Sequence, residues 1–227
     1  MLDQSQKADR AWEGGDHPAK THFTGKRGFW KEVLSAHPRT VERMCKTGFK
    51  DKAYACLFNV NKFPRWLRSA AQVMVDKYQG DPRNIWAVGP ENVGLIYDRF
   101  LEFDGIGDAL AIMARNILVR DCGVAGGRKS QRYLTVKPDV LARRVLARAG
   151  IAESESLRDF RAALQDLKLR RPADFDPAIW DVGREFCFKT DPACSLCPLR
   201  LSCEYGLGRQ GAPRRRPTSV LVQRARG

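Results

Sequence analysis

An all-α fold is predicted by three features of this chain. Apolar residues recur at helical spacing, first in Trp66, Leu67, Ala70, Ala71, Val73, Met74 and Tyr78, then in Leu141, Val145, Leu146 and Ala149. Gly and Pro break the text into segments of helix length. Alternation with a period of two is nearly absent, residues 133–136 being the one short strand candidate.

In order, residues 1–24 are polar, contain His17 and His22, and are expected to be disordered. Helices are expected at about 28–47, 50–59, 63–79, 91–103, 107–120, 139–149, 154–168 and 176–187. The fifth starts directly after a glycine-turned corner. The sixth is announced by Pro138 and by Asp139 in its first turn, ordinary signals of helix initiation. Residues 206–227 form a Gly/Pro/Arg tail with six arginines, expected to act as a mobile arm against phosphates. The chain has no internal repeat of useful length.

At 227 residues it can bury a sizeable core. Lys and Arg outnumber Asp and Glu by 40 to 26, a formal charge of +14 that suits a polyanionic partner. No apolar run approaches the length of a membrane span, and the start has no signal-peptide core. No histidine follows His37, which argues against histidine-based nucleophilic or metal chemistry in the body of the chain. Cys45, Cys56 and Cys122 lie in apolar helical stretches and read as free thiols of a reducing cytoplasm.

The other four cysteines are different. Cys187, Cys194, Cys197 and Cys203 are spaced C-x6-C-x2-C-x5-C within seventeen residues, so their thiolates can converge on one centre. Thiolate-only sites select zinc or an iron–sulfur cluster. Zinc ribbons usually pair two C-x2-C knuckles, and this chain has one. The spacing resembles the [4Fe–4S] loop of the endonuclease III-like helix-hairpin-helix DNA glycosylases, which implies one such cluster, with zinc as the alternative occupant.

Two further segments carry the resemblance. From Leu101 to Ala111 a helix ends, Gly105-Ile106-Gly107 turns the chain, and an apolar helix follows. Glycines permit positive φ, and backbone N–H groups gathered at a helix start make an anion site suited to a DNA phosphate. This resembles the helix-hairpin-helix motif. Next, Asp139 followed by Arg144-Val145 resembles the aspartate that opens a helix in the same family. A looser match, Asn61 with Asn59 second, lies where relatives insert an amide into the gap left by a flipped nucleotide. Two asparagines ending a helix would look the same.

The resemblance, over roughly residues 45–205, implies a two-lobed fold. One lobe is a helical barrel at 48–137 that includes the hairpin; the other combines 25–47 with 138–205 and the cluster loop. It also implies a monomer that binds double-stranded DNA, associates with the nucleoid, and flips a damaged or modified base into a pocket. Asp139 would stabilise positive charge at C1′ and activate water. Lys189 and Arg200 would face the DNA backbone, as would Arg128, Lys129 and Arg132, or all five would be solvated surface charges.

The chain departs from the pattern at Ala109, where bifunctional members carry a nucleophilic lysine. The expectation is therefore a monofunctional glycosylase without lyase activity, unless the fold brings Lys129 or Lys137 to the sugar. Asp104 and Asp108 put negative charge beside the phosphate site. Tyr97, Phe100, Trp86 and Trp66 could stack on a flipped base, although helical spacing favours core packing for most of them. A base-modifying transferase of the kind used in phage DNA hypermodification, or a binder of distorted duplex with no catalysis, are the alternatives.

Overall fold

The computed structural model describes residues 28–47 and 62–209. Asn59, Asn61, Cys56, the expected helix at 50–59, the N-terminal segment and the arginines beyond Arg209 lie outside these residues. Among the described residues every regular element is helical and none is a strand. The strand candidate instead falls partly in a 3-10 segment, Val124–Tyr133, and partly in extended backbone leading to the next helix. None of the helices in the described residues is long and apolar enough to cross a membrane.

The chain divides into two compact units, one ending at Val88 and resuming over Gly94–Gly107, the other comprising Gly89–Val93 and everything from Asp108. The division falls within the hairpin rather than near residue 137.

The first unit holds α1 (Phe29–Ser35), α2 (Pro38–Thr47), α3 (Phe63–Tyr78), α4 (Arg83–Trp86) and α5 (Gly94–Leu101). The single helix expected at 28–47 is two helices because Pro38 cannot continue α1 and instead starts α2. Arg68 of α3 donates to the carbonyls of Val33, Leu34 and Ala36, the acceptors that the end of α1 leaves unpaired. Val33, Val41, Cys45, Leu67 and Ala71 form one buried cluster. Ala70, Met74, Tyr78, Ile85 and Phe103 form a second, with Trp86, Phe100 and Ile106 against it. Trp86 and Phe100 are thus core residues.

The second unit holds α6 (Asp108–Arg120), α7 (Val140–Arg148), α8 (Leu157–Asp166), α9 (Phe175–Glu185) and α10 (Glu204–Arg209). Its core is Val136, Ala142, Val145, Leu146, Ala152, Phe160, Ala163 and Ile179. A Cβ at Gly183 would lie 2.8 Å from that of Leu141, so this glycine is what lets α9 press directly on α7. Gly150, at φ +78°, ends α7 in a left-handed turn, as a residue without Cβ does most cheaply.

Candidate active site

α7 carries functional groups at both ends. At its start Asp139 is the N-cap: its backbone is extended, and its Oδ1 accepts from the Ala142 N–H at 2.8 Å. Its Oδ2 lies 2.9 Å from Lys137 Nζ, and the two side chains are only 19% and 18% exposed. The carboxylate is therefore fixed in rotamer, and its charge is met by one ammonium. Lys137 Nζ also lies 3.8 Å from Met113 Sδ of α6. Lys129, the other lysine considered from sequence, is exposed in the 3-10 segment.

The segment before Asp139 is pinned from below. Asp176, in the first turn of α9, accepts from the Lys137 backbone N–H through Oδ1 and from Asn116 Nδ2 through Oδ2, both at 2.5 Å. Asn116, buried in α6, also donates to Thr135 O at 2.6 Å. Burial raises the Asp176 pKa, against the opposing pull of its hydrogen bonds from Lys137 and Asn116. Three chain segments thus meet in one polar bracket beneath Lys137-Pro138-Asp139. Sequence reasoning missed Asp176 and Asn116 because each looks like an ordinary polar residue within a helix.

At the other end of α7 lies the cysteine loop. Cys187, Cys194, Cys197 and Cys203 line one cavity, together with Val145, Arg148 and Arg200 among others. Burial raises the pKa of the Cys197 and Cys203 thiols, and charge on the neighbouring cysteines pushes the same way. Among the described residues no three His, Cys, Asp or Glu side chains converge tightly enough to hold a single metal ion.

Arg148 fastens this loop. It donates to Phe188 O at 2.6 Å, to Lys189 O at 2.9 Å and to Cys187 Sγ at 3.5 Å, and stacks on the Tyr205 ring. Cys203 Sγ stands 3.2 Å from the Arg148 carbonyl, and Arg144 Nε donates to Cys187 O at 2.8 Å. Sequence spacing could have suggested Arg148, one turn beyond Arg144 on the same helix face. The side chains of Lys189 and Arg200 themselves belong to exposed residues.

In the first unit, the hairpin glycines are not equivalent, contrary to the expectation that both adopt positive φ. Gly105 has φ +82°, and an added Cβ would sit 2.9 Å from the Trp66 ring. Trp66 therefore supports the turn. Gly107 lacks positive φ, and no described atom lies within 4 Å of where its Cβ would be, leaving its backbone open to close approach. Ile106 anchors the turn through its side chain, and its N–H already donates to Phe103 O at 3.0 Å. In the second unit, Asp108 pairs with Arg161 at 3.1 Å, which offsets the negative charge that α6 puts at its start. Arg128, Lys129 and Arg132 are exposed, and Arg132 lies over the Tyr133 ring.

No family model matches the chain. Its structure is similar to that of a trapped covalent endonuclease III–DNA intermediate, an estranged-adenine complex, at TM-score 0.60 and 16% identity, over 92% of this chain and 82% of that one. It is similar to a thermostable thymine-DNA glycosylase at TM-score 0.58 and 17% identity, over 91% and 81%. A non-covalent endonuclease III–DNA complex gives TM-score 0.57 and 18% identity, over 92% and 82%. The fold is that of the helix-hairpin-helix DNA glycosylases.

Proposed function

We propose that this protein is a DNA glycosylase that extrudes a damaged or modified base and hydrolyses its N-glycosidic bond, with water rather than an enzyme amine displacing the base. The observation that carries this reading is the placement of Asp139. A carboxylate fixed at the start of α7, held by its own helix and less than a fifth exposed, is pre-set to meet positive charge growing at C1′. As the base departs, Asp139 stabilises the oxocarbenium-like sugar and orients the water that attacks it. Ala109, on α6, offers no nucleophile to compete with that water.

Duplex DNA is the partner that the net charge of +14 favours. Gly107 gives the backbone of one phosphate a close approach, and the protein acts on DNA as a monomer, in the nucleoid. Cys187, Cys194, Cys197 and Cys203 would hold a [4Fe–4S] cluster. Four thiols round a cavity, rather than gathered at a point, suit a centre whose irons each take one thiolate better than they suit one zinc ion. When bound, the cluster supplies folding energy to the loop.

The test is a panel of duplexes holding different lesions, with released free base identified by mass spectrometry. A glycosylase leaves free base and an alkali-labile abasic site. A transferase leaves neither, and a pure binder leaves the DNA unchanged.

A further inference from the structure

The absence of a lysine at Ala109 removes an amine from the hairpin helix, but not from the site. Lys137 Nζ lies 2.9 Å from Asp139 Oδ2, its side chain is only 18% exposed, and its backbone N–H is bound by Asp176. A solvated surface lysine has none of these constraints. Pro138 stiffens the link to Asp139, and Met113 closes one side of the ammonium. The fold thus spends a partly buried carboxylate, a buried amide and a proline on fixing this one segment.

We propose that Lys137 is an amine nucleophile that captures the abasic product and nicks the strand. The inference rests on the glycosylase reading of the same site, and it reverses the expectation drawn from Ala109. Asp139 takes a proton from the Lys137 ammonium, and the freed nitrogen lone pair forms a bond to the C1′ aldehyde carbon of the opened sugar. The carbonyl electrons leave with protons as water, giving an iminium. Removal of a C2′ proton then breaks the C3′–O bond, and the phosphate departs with that electron pair as the 5′ end of the downstream strand. Water hydrolyses the imine and returns the amine. No external oxidant or reductant enters.

The experiment uses the full chain and a duplex with a single preformed abasic site, so the identity of the excised base does not matter. Sodium borohydride reduces the iminium to a stable protein–DNA adduct, and peptide mass spectrometry locates it. The expected result is an adduct on Lys137, falling below roughly one hundredth of the wild-type yield in Lys137→Ala. Lys137→Arg is the folding control: it keeps a cation beside Asp139 but forms no imine, so it must lose the adduct while retaining the wild-type far-ultraviolet circular dichroism. No adduct, an adduct on another amine, or an undiminished yield in Lys137→Arg overturns the inference. Base release with adduct failure sinks the inference alone. Capture through Lys137 with no base released from any lesion sinks the glycosylase reading alone.

Discussion

The two ends of α7 do different work with the same nine-residue helix, about 13 Å long. Its start is a charged site assembled from short-range contacts: Asp139 caps its own helix, pairs with Lys137 two residues back, and stands on Asp176 and Asn116. Its last turn reaches outward instead. Arg148 and Arg144 grip carbonyls about forty residues away in sequence and hold a loop that has little apolar packing of its own, with Leu196 and Leu201 exposed. The difference teaches what each end needs. A reacting carboxylate needs its direction fixed, and a four-cysteine loop needs its backbone held while its thiols stay turned towards one cavity.

The largest effect should come from Asp139→Asn. Asparagine caps a helix as well as aspartate does, so α7 and its far end should survive. Base release should fall by about 10²–10⁴-fold, the range for losing a positioned acid–base group. Duplex affinity, measured by fluorescence anisotropy, should remain within a few-fold of wild type. Unchanged base release would take the chemistry away from this end of the helix.

The opposite end should break without silencing the carboxylate's own contacts. Cys197→Ser should abolish the absorbance band near ~400 nm of anaerobically purified protein. Limited proteolysis should then cut between Cys187 and Cys203. Arg148→Met has a smaller expected effect, because it removes three polar contacts and a ring stack but leaves every cysteine in place. A stability loss of about 1–3 kcal/mol is expected from a denaturant midpoint, since hydrogen bonds from charged donors exceed neutral ones and partial exposure limits them. An Arg148→Met protein with a wild-type midpoint would show that the loop is held by its metal centre alone.

Sequence revealed the two ends unequally. The cysteine spacing was plain because four ligands must sit close along the chain, whereas the arginine clasp joins Arg148 to Phe188 and Lys189 across forty residues. Asp139 was visible through Pro138 and Arg144-Val145, yet its partners in space were not: Asp176 is 39 residues from Lys137 and 60 from Asn116. Helical periodicity located most elements. It failed at Val124–Tyr133, where Ala125, Gly126 and Gly127 adopt positive φ and no repeating apolar face exists. The G-x-G turn was legible as a turn, but only packing against Trp66 separates a glycine required by the backbone, Gly105, from one that leaves space, Gly107.

The smallest predicted effect concerns the support under Lys137. Burial raises the Asp176 pKa, so the folded chain binds that proton more tightly than the unfolded chain does. The stability contributed by this group is therefore complete below the ordinary carboxylate range and is lost as pH rises through the raised value. Asp176→Asn carries no such titration. Its amide oxygen can accept from only one of the two donors that now face the carboxylate, so a few-fold drop in base release is expected from a loosened Lys137-Pro138-Asp139 segment. Thermal melts of both proteins from acid to neutral pH should show the variant gaining on the wild type as pH increases. Parallel melting curves would mean that the donors on Asp176 outweigh its burial, and that this end of α7 rests on an ionised carboxylate throughout.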